Sequence, residues 1–178
     1  MILTRYARFA SLLFTGLFAG FLIGVLVLEL SLRGFDGTVY TQVRLVELDS
    51  LDKLAVATLL PALITTALLV YRTSRTNTRW PNVAALALLV FIVGLTIAVN
   101  LPINADQLHW NTASPPTDWT NVRDRWQLAH ATRTAAAVLA FAFLALAAPL
   151  PPAPENSRQV RKELPGDVWH HDEEASPR

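Results

Sequence analysis

Four stretches of this chain contain no charged residue at all: Phe9–Leu28, Leu54–Tyr71, Trp80–Ala105 and Thr134–Pro154. A helix needs about 20 apolar residues to cross the hydrocarbon core of a bilayer. Each stretch is close to that length or longer. In lipid, an open chain satisfies its own backbone N–H and C=O groups only as a helix. The pattern therefore predicts an all-α fold, a bundle of four transmembrane helices over about 9–31, 54–71, 82–101 and 126–149. These form one membrane domain, residues 1–150. Composition agrees: of 178 residues, 52% are hydrophobic and 16% charged, against about 25% charged in soluble domains.

Several function classes fall away early. The net charge of +1 gives no general affinity for nucleic acid. There is no cysteine, so disulfides, thiolate metal sites and CxxC redox chemistry are excluded. No repeat of 20–50 residues is evident. Arg5 and Arg8 before an apolar run also suit a cleaved leader. The run is too long for one, however, and it ends in Leu-Glu-Leu-Ser-Leu-Arg instead of a small-x-small site. A retained helix is the expectation.

Basic residues set the orientation. Arg5 and Arg8, then Arg72, Arg75 and Arg79, then Arg158, Arg161 and Lys162 fall on one side. Arg33, Arg44, Lys53, Arg123 and Arg125 fall on the other, mixed with acids that include Glu47 and Asp52. The reading is a multi-pass plasma-membrane protein with both termini cytoplasmic and the lipid bilayer as its first partner. Residues 38–53 lack Gly and Pro and repeat apolar residues at helical spacing. They predict an amphipathic outer helix, running into span two or lying on the surface before it. Pro61 would kink span two. Pro115-Pro116 breaks the long 102–125 connection. The tail, 151–178, is rich in Pro and charge and is expected to be disordered. Its His170-His171 pair beside Asp172, Glu173 and Glu174 reads as solvated charge. No metal site is expected anywhere. Gly16, Gly20 and Gly24 repeat every four residues, a spacing that lets a helix approach closely, within the bundle or in a homo-oligomer.

The chemistry sits in polar residues where lipid should be. Ionisable groups in membrane helices are costly and usually face a cavity or the bundle interior. Topology brings Glu29, Asn100, Asn104, His130 and Arg133 to the same membrane face. Trp126, His130 and Arg133 follow i, i+4, i+7 and share one face of a helix. Arg133 stays charged and needs an acceptor, Glu29 or carbonyls of the 100–104 turn. An Arg, a His and amides around a pocket suit binding a phenolate or enolate, taking a proton from carbon and stabilising the anion. The structural alternative is that Arg133 snorkels, Trp126 is a belt residue, Glu29 pairs with Arg133, and Asn100 and Pro102 end a helix.

Asn100-Leu-Pro-Ile-Asn104 closing span three, then Trp126-x3-His130-x2-Arg133 opening span four, resembles the DUF1772 family, which includes anthrone oxygenases. Its members commonly show N-x-P-x-N followed by W-x3-N/H-x2-R. Tyr40-Thr-Gln-Val-Arg44 and the Gly-rich first span also fit, and the resemblance covers roughly residues 9–150. It implies four membrane helices and oxygenation of an activated aromatic CH2 by O2 with no cofactor. In that scheme Arg133 holds the anion and His130 accepts the proton. Asn100, Asn104 and Glu29 shape the pocket, and Trp126 stacks on a lipophilic aromatic small molecule. The alternative is a non-catalytic membrane protein that binds such a molecule or stabilises a membrane partner. Transport is disfavoured, because four spans are few and inverted repeats are not evident.

Overall fold

A computed structural model describes residues 2–76 and 79–148. The tail from 149 onward, with His170 and His171, lies outside the described residues. The fold is all-α. Helix α1 is Ile2–Ser31 and α2 is Gly37–Arg72. The third long helix is composite: α3 (Arg79–Leu95), a π-helical turn (Thr96–Asn100) and α4 (Leu101–Gln107). Helix α5 is Trp119–Leu146. Among the described residues four helices are long and apolar enough to cross a membrane, which makes this a multi-pass membrane protein.

Local chemistry sets the boundaries. Asp36 caps α2, its carboxylate accepting from the Val39 N–H at 3.0 Å, the usual N-cap geometry. Gly37 follows because a Cβ there would lie 2.9 Å from Trp119 Nε1. Helix α2 then runs unbroken for 36 residues, about 54 Å at 1.5 Å per residue. The 38–53 segment is thus the part of α2 that leads into the apolar span, not a separate surface helix. Pro61 lies inside α2. Thr58 and Thr65 donate to the carbonyls of Leu54 and Pro61, at 2.9 and 2.6 Å, so neither hydroxyl is left bare toward lipid.

The third helix departs from expectation. Asn100 and Pro102 do not end it. The backbone widens into a π turn, with the Leu101 N–H donating to Thr96 O, and continues to Gln107. Pro102 has no N–H to give, and its ring would press on the carbonyl four residues back in a regular helix. Widening the turn ahead of it relieves that conflict.

The helices form a ring in the order α2, α1, α5, α3, with the α2–α3 seam the least extensive of the four. Toward the 72–79 connection the interior is mainly apolar: Phe18, Leu69, Leu89, Ile92 and Leu144 interlock with Ala62, Ala85, Ala137 and Ala140. Leu13, Leu17, Ile23, Leu60, Ile64 and Leu139 are exposed and meet the bilayer. Gly16 lies against α5, where a Cβ would come within 3.1 Å of the Phe141 ring; at Gly20 and Gly24 it would meet nothing within 4 Å. The opposite end carries an aromatic cap. Tyr40 is fully buried, 5.4 Å from Trp119 and 6.5 Å from Trp110 by ring centroid.

Candidate functional site

Under the cap lies a cavity of 350 Å³, within the range of small-molecule sites. Helix α1 gives it an apolar wall of Phe18, Phe21, Leu22 and Val25. Helix α2 contributes Arg44, Glu47, Leu51 and Ala55, spaced i, i+3, i+7, i+11 along one helical face. Thr96 of the π turn, Leu101 and Asn104 of α4, and Trp126, His130 and Arg133 of α5 close the circle. Asp52, Val56 and Leu101 are exposed lining residues. They set the mouth at the α2–α4 side, on the least packed seam.

Arg44 is the hub of the polar end. Its Nε donates to Gln107 Oε1 at 3.0 Å, Nη2 to Asn104 Oδ1 at 2.8 Å and Nη1 to Glu47 Oε2 at 2.6 Å. Nη1 also lies 3.4 Å from Glu29 Oε1. Two buried carboxylates therefore share one guanidinium. Arg44 Cζ lies 3.9 Å from the centroid of the Trp126 ring. Trp126 Nε1 donates to Asn104 Oδ1 at 2.7 Å, so that amide oxygen accepts twice. Gln127 steadies Glu29 from behind, donating to its carbonyl and its carboxylate at 2.8 and 3.0 Å.

The second cluster is His130 and Arg133. The imidazole stacks on Trp126, 4.8 Å between centroids with 8° between planes. His130 Nε2 lies 3.0 Å from Leu22 O. A carbonyl only accepts, so Nε2 carries the hydrogen. Nδ1, 2.8 Å from Arg133 Nη2, accepts, because guanidinium only donates. Both ring nitrogens are committed. Arg133 Nη1 donates to Thr96 Oγ1 at 3.0 Å, and that hydroxyl donates on to Ile92 O at 2.7 Å. Arg133 Nε is buried without a hydrogen-bond partner. Among the described residues no carboxylate lies within 4.0 Å of Arg133; the buried ion pairs belong to Arg44.

The structure brings Asn104, Trp126, His130 and Arg133 together on the cavity wall. Glu29 and Asn100 are buried but not on that wall. Glu29 sits behind Arg44, and Asn100 lies in the π turn with neither side-chain polar atom hydrogen-bonded. The expected Glu29–Arg133 pair is not formed. Arg44 reaches Glu29 instead, being on the neighbouring helix, while Arg133 finds Thr96. Nor does Arg133 snorkel to the interface, and Trp126, 3% exposed, is no belt residue. Sequence reasoning missed Arg44, Glu47 and Gln107 as site residues. The signal was there in Tyr40, Arg44, Glu47 and Leu51 sharing one helical face, but their charges read as those of an outer connection. Among the described residues, no three His, Asp or Glu cluster as metal ligands would.

The model of a family described as anthrone oxygenase matches residues 52–143, just over half of the chain. The matched stretch includes Thr96, Asn104, Trp126, His130 and Arg133 and leaves Glu29, Arg44 and Glu47 outside. No curated protein and no solved structure matches the chain.

Proposed function

The chain belongs to the anthrone oxygenase family, and we propose that it oxidises the activated CH2 of an anthrone-like, lipophilic aromatic substrate with O2, using no metal or organic cofactor. The net reaction balances: CH2 and O2 give C=O and one water. Loss of a proton leaves the electron pair in the ring system as an enolate. The electron-rich carbon reacts with O2, and the resulting hydroperoxide loses water to give the quinone.

One observation carries the reading. Arg133 presents a half-buried cation, with no carboxylate within 4.0 Å among the described residues, to a cavity whose other walls are mostly apolar. Such a place suits a flat hydrophobic ring system that becomes an oxyanion as it reacts. Arg133 would hold that oxygen, and Asn104 would shape the polar end. Trp126, with Arg44 over its ring and His130 stacked on it, has little free face to offer a ligand. Its role is to fix its two neighbours. Glu29 and Asn100 support the wall from behind. The charge asymmetry of the connections supports an orientation with the aromatic cap outside a plasma membrane and both termini in the cytoplasm.

The non-catalytic alternative has one observation in its favour: both nitrogens of His130, the expected proton acceptor, are hydrogen-bonded. Oxygen uptake separates the two readings. Purified protein with a panel of anthrones, corrected for spontaneous oxidation, should consume O2. The Arg133→Ala variant, still folded, should not. Ligand binding without uptake above background across the panel would leave a binding protein.

A further inference from the structure

We infer that the carboxylate of Asp52, at the mouth of the cavity, is the catalytic base that takes the proton from the substrate carbon. This role rests on the oxygenase reading above and supplies the base it lacks.

The cavity wall offers few acceptors, and most are committed. His130 has none to spare, since Nε2–H donates to Leu22 O and Nδ1 accepts from Arg133. Asn104 Oδ1 already accepts from Arg44 and Trp126. Thr96 Oγ1 accepts from Arg133 and donates to Ile92 O. Glu47 is turned away: Arg44 holds its Oε2 at 2.6 Å, and its Oε1 is buried against the Glu29 carboxyl. Asp52 differs from all four. It lines the cavity from α2 and is exposed. Among the described residues its carboxylate makes no hydrogen bond and no ion pair within 4.0 Å. Its oxygens keep lone pairs free for a new proton.

Charge favours that step. Asp52 lies within electrostatic reach of Arg44 and Arg133 without pairing with either. Arg44 is already matched by Glu29 and Glu47, so Arg133 on α5 is the cation left to face Asp52 on α2. In the step itself the C–H bond breaks and an O–H bond forms on Asp52. The electron pair stays with the ring as an enolate, whose oxygen meets Arg133. One negative charge leaves the carboxylate and one appears at the oxyanion. The net charge of the cavity is unchanged, which spares an apolar site the cost of a new charge. One wall accepts the proton and another holds the anion, as enolisation requires. Asp49 and Lys53 beside Asp52 are exposed charged residues where α2 enters its apolar span, so the proton can pass on to water. His130 becomes a positioning residue that directs Arg133.

Anaerobic hydrogen–deuterium exchange at the anthrone CH2 isolates this step, because it needs no oxygen. Wild-type protein in D2O should exchange well above the spontaneous rate. Asp52→Asn should lose about 100-fold or more while still binding anthraquinone, read by tryptophan quenching. Asp52→Glu should recover part of the rate, and formate should partly rescue Asp52→Ala, which a packing role would not allow. Asp49→Asn, an exposed acid off the cavity wall, should exchange near the wild-type rate. Exchange by Asp52→Asn at the wild-type rate would overturn the inference, as would a wild-type protein no faster than background. An equal loss in Asp49→Asn would also overturn it, by showing an effect of surface charge. So would loss of anthraquinone binding in Asp52→Asn, which would make Asp52 a binding group. Exchange that depends on Asp52 without O2 consumption in air would support Asp52 and remove the oxygenase reading. O2 consumption indifferent to Asp52 would do the reverse.

Discussion

Toward the 72–79 connection the helices meet through Ala62, Ala85, Ala137 and Ala140 with Leu and Ile between them. Under the cap the same helices meet through Glu29, Arg44, Glu47, Asn104 and Gln107. The first half closes on itself and leaves small residues at its contacts. The second holds a 350 Å³ cavity and buries charged side chains around Arg44, with Glu29 and Glu47 both against its guanidinium. Such groups are expensive in lipid. A bundle needing only to stand would have no use for them. The contrast locates the work of the molecule at one end, and it can be broken from either end.

The largest effect should come from Arg44→Ala. The change leaves Glu29 and Glu47 buried without their shared cation, and removing one partner of a buried pair costs about 3–5 kcal/mol. Thermal unfolding in detergent should show a large fall, and the cavity should lose ligand with it. Stability close to wild type would mean that the capped end is not held by this hub.

Arg133→Ala should separate function from fold. Arg133 has no buried carboxylate to strand, so folded protein should survive. Turnover should drop about 100-fold or more, the usual loss for one donor to a developing oxyanion. Loss of folded protein instead would make Arg133 a structural cation like Arg44.

These two arginines show where the sequence was legible. Arg133 could be found because it stands near a charge-free run, at i+7 from Trp126 and i+3 from His130, where any ionisable group is conspicuous. The four spans were legible for the same reason. Arg44 and Glu47 stand among Asp36, Asp49, Asp52 and Lys53, so their charges looked like those of a solvated connection. They are buried because α2 continues as one helix above the span and the Trp110–Tyr40–Trp119 cap covers it. That covering is a tertiary fact. The course of the backbone through Pro102 was equally hidden: proline marks a conflict, and only the packed structure shows whether a helix ends or widens there.

The apolar half should answer to volume. Ala140 is fully buried among large side chains. Ala140→Leu should destabilise by about 1–3 kcal/mol, the usual cost of overpacking. Turnover per folded molecule should stay near wild type, since the polar cluster lies elsewhere. A fall in turnover matching that of Arg133→Ala would show that the two ends are coupled.

The smallest effects should come from the glycine face, and they divide one sequence motif into two physical situations. Gly16 lies against Phe141, whose ring would have to give way slightly to admit a Cβ, whereas Gly20 and Gly24 face open space. Gly16→Leu should therefore press on the α1–α5 contact within one chain and lower its stability. Gly20→Leu and Gly24→Leu should leave the single chain within about 0.5 kcal/mol of wild type, as for surface changes away from special features. Light scattering in mild detergent then reads what thermal unfolding cannot. If Gly20 and Gly24 serve a homo-oligomer through close helix approach, their leucine variants should fall to monomers with unfolding unchanged. If their mass does not change, the four-residue spacing needs no second chain to explain it: Gly16 packs closely on Phe141, and the other two merely line the lipid.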